Sequence, residues 1–166
     1  MQNDRSKMNI TLEDQYNSQY GVSPVPAHTH NGTDSMLVDE KNLVNKKEFI
    51  LYRIVAPATN TAVASTVGGD YVMPYNGYVT NLGVTVDTAG ITGTTTVDFK
   101  KSGVSILKTL VTVDSTEKTS RTAAIPPIIN QNLQNFNIGD IFTFDITAIS
   151  ATPAKGATIF MEVIRI

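Results

Sequence analysis

From Phe49 onward the chain is a succession of short runs rich in Val, Ile, Thr, Phe and Tyr. Gly, Pro and Asn-Gly punctuation cuts them at intervals of roughly eight to twelve residues. β-branched and aromatic side chains suit a pleated surface. No long amphipathic stretch of helical period separates the runs, so the helices a parallel α/β fold needs for its crossovers are missing. The pattern predicts an all-β domain, an antiparallel β-sandwich or jelly roll of about eight strands.

Individual strands follow from alternation and turn signals. Phe49 to Ala56 is an apolar run bounded by Pro57. Val63 to Val67 and Tyr71 to Met73 flank Gly68-Gly69-Asp70, a turn that would close a hairpin. After Asn76-Gly77 comes the clearest alternation, with Tyr78, Leu82, Val84 and Val86 on one parity. Thr94 to Lys101 sets Val97 and Phe99 against Asp98 and Lys100. Ser102-Gly103 turns the chain into Val104 to Val113. Pro126-Pro127 and Asn130 to Asn137 read as a loop. Ile141 to Ile149 and Ala157 to Ile166, joined through Pro153 to Gly156, close the domain.

That last strand carries a second message. Ile159, Met161 and Val163 are apolar on one parity, and Phe160, Ile164 and Ile166 on the other. A sandwich strand normally shows one face to water. Apolar residues on both faces call for a second burial surface, either a subunit contact or a loop of the same chain laid over a central strand.

Residues 1–47 are a different material, with few large apolar side chains and no sustained period. Thr11 with Asp14 could cap a turn or two of helix. Pro24 and Pro26 favour an extended path, and Leu37 to Asn45 could form another short helix. Such a segment cannot by itself bury enough surface to offset its ordering entropy. The expected organisation is an extended attachment arm over 1–47 and a β-sandwich domain over 48–166.

Composition narrows the function. A net charge of -2 with 17% charged residues gives no electrostatic footprint for nucleic acid. Cysteine is absent, which removes disulfides, a thiol nucleophile and Cys-based zinc sites. There is no apolar core of a signal peptide near Met1 to Met8 and no run of about eighteen apolar residues, so neither secretion nor a membrane partner is expected.

The two histidines of the chain sit together in Pro26-Ala27-His28-Thr29-His30-Asn31-Gly32-Thr33-Asp34-Ser35. In an extended segment, residues i and i+2 project to the same side. His28 and His30 could therefore share one metal, though two ligands make a weak site. Around a three-fold axis the pair becomes six nitrogens, enough for an octahedral shell about an iron-like or nickel-like ion. The plainer alternative is a solvated His-x-His loop leading into an Asn-Gly turn.

This string resembles a motif of phage tail-fibre, head-fibre and related virion proteins, where it precedes a C-terminal β-domain. Gly77 to Leu82, Val97 to Gly103 and Ile138 to Ile146 are also similar to that group. The resemblance covers roughly residues 20 to 166. It implies a non-enzymatic virion protein, made in the host cytoplasm, that works as a homotrimer and contacts other capsid or tail proteins through its arm. It also implies that His28 and His30 could hold a divalent, iron-like metal on the three-fold axis, with no cofactor otherwise required. The chain lacks a long repetitive shaft and has a single His-x-His, which favours a capsid decoration or head-fibre subunit. The alternative is a short tail-fibre or spike domain that binds host-surface carbohydrate.

An enzyme is the less economical reading. The only imidazoles lie in the arm, outside the expected fold, and nothing marks a nucleophile with its base. Asp98, Asp140 and Asp145 read as outward polar positions or, for Asp140, a turn residue. For sugar binding the candidate platform is Tyr71, Tyr75 and Tyr78, since the chain has no Trp.

Overall fold

These signals resolve into antiparallel sheets in a computed structural model, which describes residues 46–166. The motif at 26–35, His28 and His30 included, lies outside the described residues, as does the expected arm up to residue 45.

Strands β1 (Lys46–Asn60), β2 (Tyr71–Val72), β3 (Gly77–Thr88) and β4 (Thr95–Lys101) open the domain. The chain continues through β5 (Val104–Ser105), β6 (Leu107–Thr109), β7 (Val111–Val113), β8 (Ile128–Ile129) and β9 (Asn135–Phe136). It ends with β10 (Ile141–Ala148) and β11 (Lys155–Arg165). One sheet runs β1-β11-β3-β9. The other runs β2-β10-β4-β5, with β7 also on β4. The chain thus changes sheet at almost every step, and β11 and β10 end up between strands made much earlier. That winding is the jelly roll, with β5 and β7 acting as one interrupted strand. Counted this way the two sheets have eight strand positions, as expected, while β6 and β8 form a small separate ladder.

The core lies between the sheets. Leu82, Val84 and Val86 of β3 face Val97 and Phe99 of β4 and Phe142, Phe144 and Ile146 of β10, all buried. Phe99 meets Phe144 edge-on at 5.2 Å, and Phe136 meets Phe142 at 6.0 Å. Each such buried side chain contributes roughly 1.5–3 kcal/mol relative to exposure.

The structure corrects several local expectations. Pro57 does not end the first strand. β1 is an edge strand, where a missing N–H need cost no ladder bond, and the register slips between Val55 and Asn60, around Ala58 at φ 60°. A bulge at Thr80 shifts the pairing from Asn81↔Glu162 to Val79↔Val163. Val79 therefore enters the core and Tyr78, opposite Ile164, turns outward, against the simple parity count.

Val63–Val67 and Tyr71–Met73 do not form a hairpin with each other. Both lie along β10, through the Ala64↔Ile146 bridge and the pairing of Tyr71 and Val72 with Phe142 and Ile141. Gly68, at φ +81°, passes so close to β1 that a Cβ would stand 2.7 Å from the Ile54 Cα. Ser102 and Gly103 do form the expected turn. Both have positive φ and join Lys101 to Val104 as a two-residue hairpin loop. Beyond it the run 104–113 is longer than the stretch of β4 it covers, so residues 107–110, after the Ile106 N–H has bonded the Phe99 carbonyl at 2.9 Å, leave the ladder and β6 pairs with β8.

Candidate interaction surface

The outer face of the first sheet is where the sequence pattern was unusual, and three strands build it. In register across the ladder, Phe49 stands opposite Glu162 and Glu162 opposite Asn81. One row on, Leu51 stands opposite Phe160 and Phe160 opposite Gly83. All of these side chains point away from the core, because their neighbours Ile50, Met161, Leu82 and Val84 point into it.

Phe160 is 3% exposed despite its outward direction. Its ring lies over Gly83, in the space that a Cβ there would occupy. The Phe49 ring stacks beside it, with centroids 5.9 Å apart and planes at 18°. A 3-10 turn, Ser120–Thr122, closes the remaining side. Ser120 Oγ accepts from the Val84 N–H at 2.9 Å, and the Arg121 guanidinium sits 4.6 Å from the Phe160 ring centre. Arg121 also donates to Glu162 Oε1 at 3.2 Å, and Asn81 Nδ2 donates to the same oxygen at 3.1 Å.

The apolar outer parity of the closing strand is thus answered within the chain at Phe160. Exposed apolar surface remains at Ile166, 70% exposed just past the end of β11, and on the edge strand, where Phe49 is 52% exposed and Leu51 64%.

Beside this stack, a solvent-open groove of about 330 Å³ lies between β3 and the segment 127–134. Asn81 belongs to both features: it lines the groove and is tied through Glu162 to Arg121.

The tyrosines expected to form a sugar platform are largely engaged elsewhere. Tyr71 packs edge-on against Tyr52 at 5.3 Å, and Tyr75 packs against Phe136 at 6.2 Å with Arg165 over its ring at 5.2 Å. Burial, then the adjacent Glu48, pushes the Tyr75 phenol well above its usual range. Tyr71 is raised for the same two reasons. Tyr78 is half-buried on the outer face.

The aspartates fall mostly where expected. Asp140 is a turn residue whose Oδ2 accepts from the Asn137 N–H at 2.9 Å. Asp98 and Asp145 point outward from the second sheet, yet both are buried and stand directly opposite each other. Ser105 Oγ donates to Asp98 at 2.6 Å. Asp145 accepts from Lys100 Nζ at 2.5 Å and from the Thr66 N–H at 2.8 Å. Burial raises the Asp145 pKa, but the Lys100 and Thr66 hydrogen bonds and the Lys100 charge outweigh it and hold the carboxyl below its ordinary value. The pair is fully used in pinning the 62–68 segment and β5 to the sheet.

Sequence reasoning missed Gly83, Arg121, Glu162 and the exposure of Phe49. Phe160 at the wrong parity was the one available signal. Among the described residues there is no cluster of three or more His, Cys, Asp or Glu placed to hold a metal, and no helix is long and apolar enough to cross a membrane. Compared with known proteins, the chain matches no family model, no curated sequence and no solved structure.

Proposed function

We propose that this chain is a non-enzymatic structural subunit of a virus particle, a homotrimeric capsid-decoration or head-fibre protein. In this reading residues 1–47 anchor it on other virion proteins and the jelly roll projects outward. His28 and His30 of three subunits would meet on the axis and hold an iron-like ion. The observation that carries the reading is the outward apolar pair Phe49 and Leu51, left exposed beside a Phe160 ring that the chain already covers. Side chains that gain little from folding stay apolar at a site where they are buried on assembly. The resemblance at 26–35 and the jelly-roll winding, an architecture shared by viral capsid and lectin domains, support it. Fold alone does not decide function.

Light scattering on the full chain, with metal analysis, is the direct test. The expected result is a trimer with bound metal. The metal is lost in His28→Ala/His30→Ala, and the mass falls to that of a monomer in Phe49→Ser/Leu51→Ser. Both residues are about half exposed or more, so the second variant gives up only part of the roughly 1.5–3 kcal/mol of a full burial per residue and remains folded. A monomeric wild type without metal would overturn the reading.

A further inference from the structure

We propose that the groove between β3 and segment 127–134 binds a neutral saccharide unit. Its polar lining comes from Thr80, Asn81, Gln131 and Gln134, one hydroxyl and three amides. Its apolar wall comes from Pro127, Ile128 and Ile129. Among the described residues, no charged side chain and no aromatic ring lines it. A carboxylate or phosphate would find no cation there, since Arg121 is outside the lining and occupied by Glu162. A cationic ligand would find no carboxylate, and a flat aromatic ligand no ring to stack on. What remains complementary is a molecule with several hydroxyls along one edge and C–H groups along a face. Amides and hydroxyls serve such a ligand as paired donors and acceptors.

Two of the polar groups are already oriented. Asn81 Nδ2 is committed to Glu162 Oε1 at 3.1 Å, and that carboxylate is steadied by Arg121 at 3.2 Å, so the Asn81 carbonyl is left to accept. Thr80, the bulge residue of β3, donates its hydroxyl proton to the Glu162 carbonyl at 3.0 Å and can likewise accept. Both therefore present acceptors to sugar hydroxyls, while the Gln131 and Gln134 amides supply donors. The Gln134 main chain is fixed by the bond from the Val79 N–H to its carbonyl at 3.0 Å. A volume of about 330 Å³ is at the small end of ligand clefts, which run roughly 300–1,000 Å³, and it suits one or two sugar rings. The site goes beyond the proposed assembly role, and its Thr80 and Asn81 lie two strands away from Phe49 and Leu51.

The test is titration of the isotopically labelled full chain with glucose, galactose, mannose, N-acetylglucosamine and sialic acid, followed by amide chemical shifts. Neutral sugars at tens of millimolar should shift the amides of Asn81, Gln131 and Gln134. Asn81→Ala and Gln131→Ala should each weaken the response by roughly tenfold, about one hydrogen bond's worth, while Thr147→Ala on the outer face of the other sheet leaves it unchanged. No shift with any neutral sugar, binding of sialic acid alone, or full binding by Asn81→Ala/Gln131→Ala would each overturn the proposal. Oligomeric state is not read in this experiment, so its failure is distinct from failure of the assembly reading.

Discussion

Removing the Asp145 carboxylate tests how the second sheet holds its edge. Its side chain is 9% exposed at the middle of β10, faces Asp98 across the ladder, and accepts from Lys100 and Thr66. Burial disfavours the charged form, so the partners are what make ionisation tolerable. In Asp145→Ala the Thr66 N–H loses its acceptor, at a residue already held at φ 53°. A hydrogen bond to a charged group contributes roughly 1.5–3 kcal/mol. Relief of the cost of burying the carboxylate lowers the loss, and the orphaned donor raises it again. The net expectation is about 2–3 kcal/mol at neutral pH. Asp145→Asn keeps an acceptor for Thr66 and should lose less, about 1 kcal/mol.

The pH dependence supplies the sharper test of the same residue. A carboxyl whose folded pKa is depressed adds stability above its unfolded value, near 3.9, and that stability disappears as pH falls through the folded pKa. Urea unfolding of the wild type should therefore weaken below about pH 4, and the gap between wild type and Asp145→Asn should narrow there. Hydrogen exchange at the Thr66 amide should speed up in Asp145→Ala before global unfolding. A wild-type gap over Asp145→Asn that stays constant from pH 7 to pH 3, or an Asp145→Ala loss below about 0.5 kcal/mol, would refute the assignment.

Two further outcomes follow from the packing. Gly83→Val places a side chain where the Phe160 ring and Ser120 Oγ now lie, and should destabilise by about 1–3 kcal/mol through overpacking. Combining it with Phe160→Ala should cost less than the sum of the two single losses, as read by urea midpoints, and strict additivity would show that the ring does not occupy that space. At alkaline pH the raised phenol of Tyr75 adds stability that is complete below its unfolded value near 10 and fades as pH rises toward the folded value. Unfolding midpoints should drop above about pH 10, and less in Tyr75→Phe; identical profiles would place Tyr75 outside the packed cluster.

Much of the fold could be read because local and global preferences agree at those places. β4, β10 and β11 begin and end within two residues of the expected runs, since each is a β-branched and aromatic run bounded by turn residues. Ser102-Gly103 declares its hairpin through residues tolerant of positive φ. The misses come where tertiary context decides. Pro57 sits inside β1 only because that strand is an edge. The Thr80 bulge is an adjustment to β11 that β3 alone does not announce. The excursion at 107–110 depends on β8, a partner some twenty residues further along. The surface was half legible: Phe160 advertised a covered outer face, but nothing in Ser120-Arg121 said that this segment would cover it. Phe49 looked like an ordinary core residue of its run, and only the direction of β1 in the ladder turns it outward.

The arrangement of edges bears on how the proposed trimer would form. β1 is the longest edge strand among the described residues, yet its second half is spoiled for pairing by Pro57 and the register break. Prolines, bulges and charges are how exposed edges avoid adding strands, and Lys46, Lys47 and Arg53 charge the first half as well. Antiparallel pairing of two identical β1 edges would in any case be two-fold and would close as a dimer. A three-fold assembly requires a heterologous contact, in which the Phe49–Leu51 face meets a different patch on the next subunit. One such patch is the cross-strand pair Val72 and Ile141 on the second sheet, both exposed. It lies at the β2 edge of the sheet order β2-β10-β4-β5, with the Ser102 N–H bonded to the Ile141 carbonyl at 2.8 Å. Side-chain packing between unlike faces, rather than extension of a sheet, is therefore the form of contact that this jelly roll can offer to a trimer.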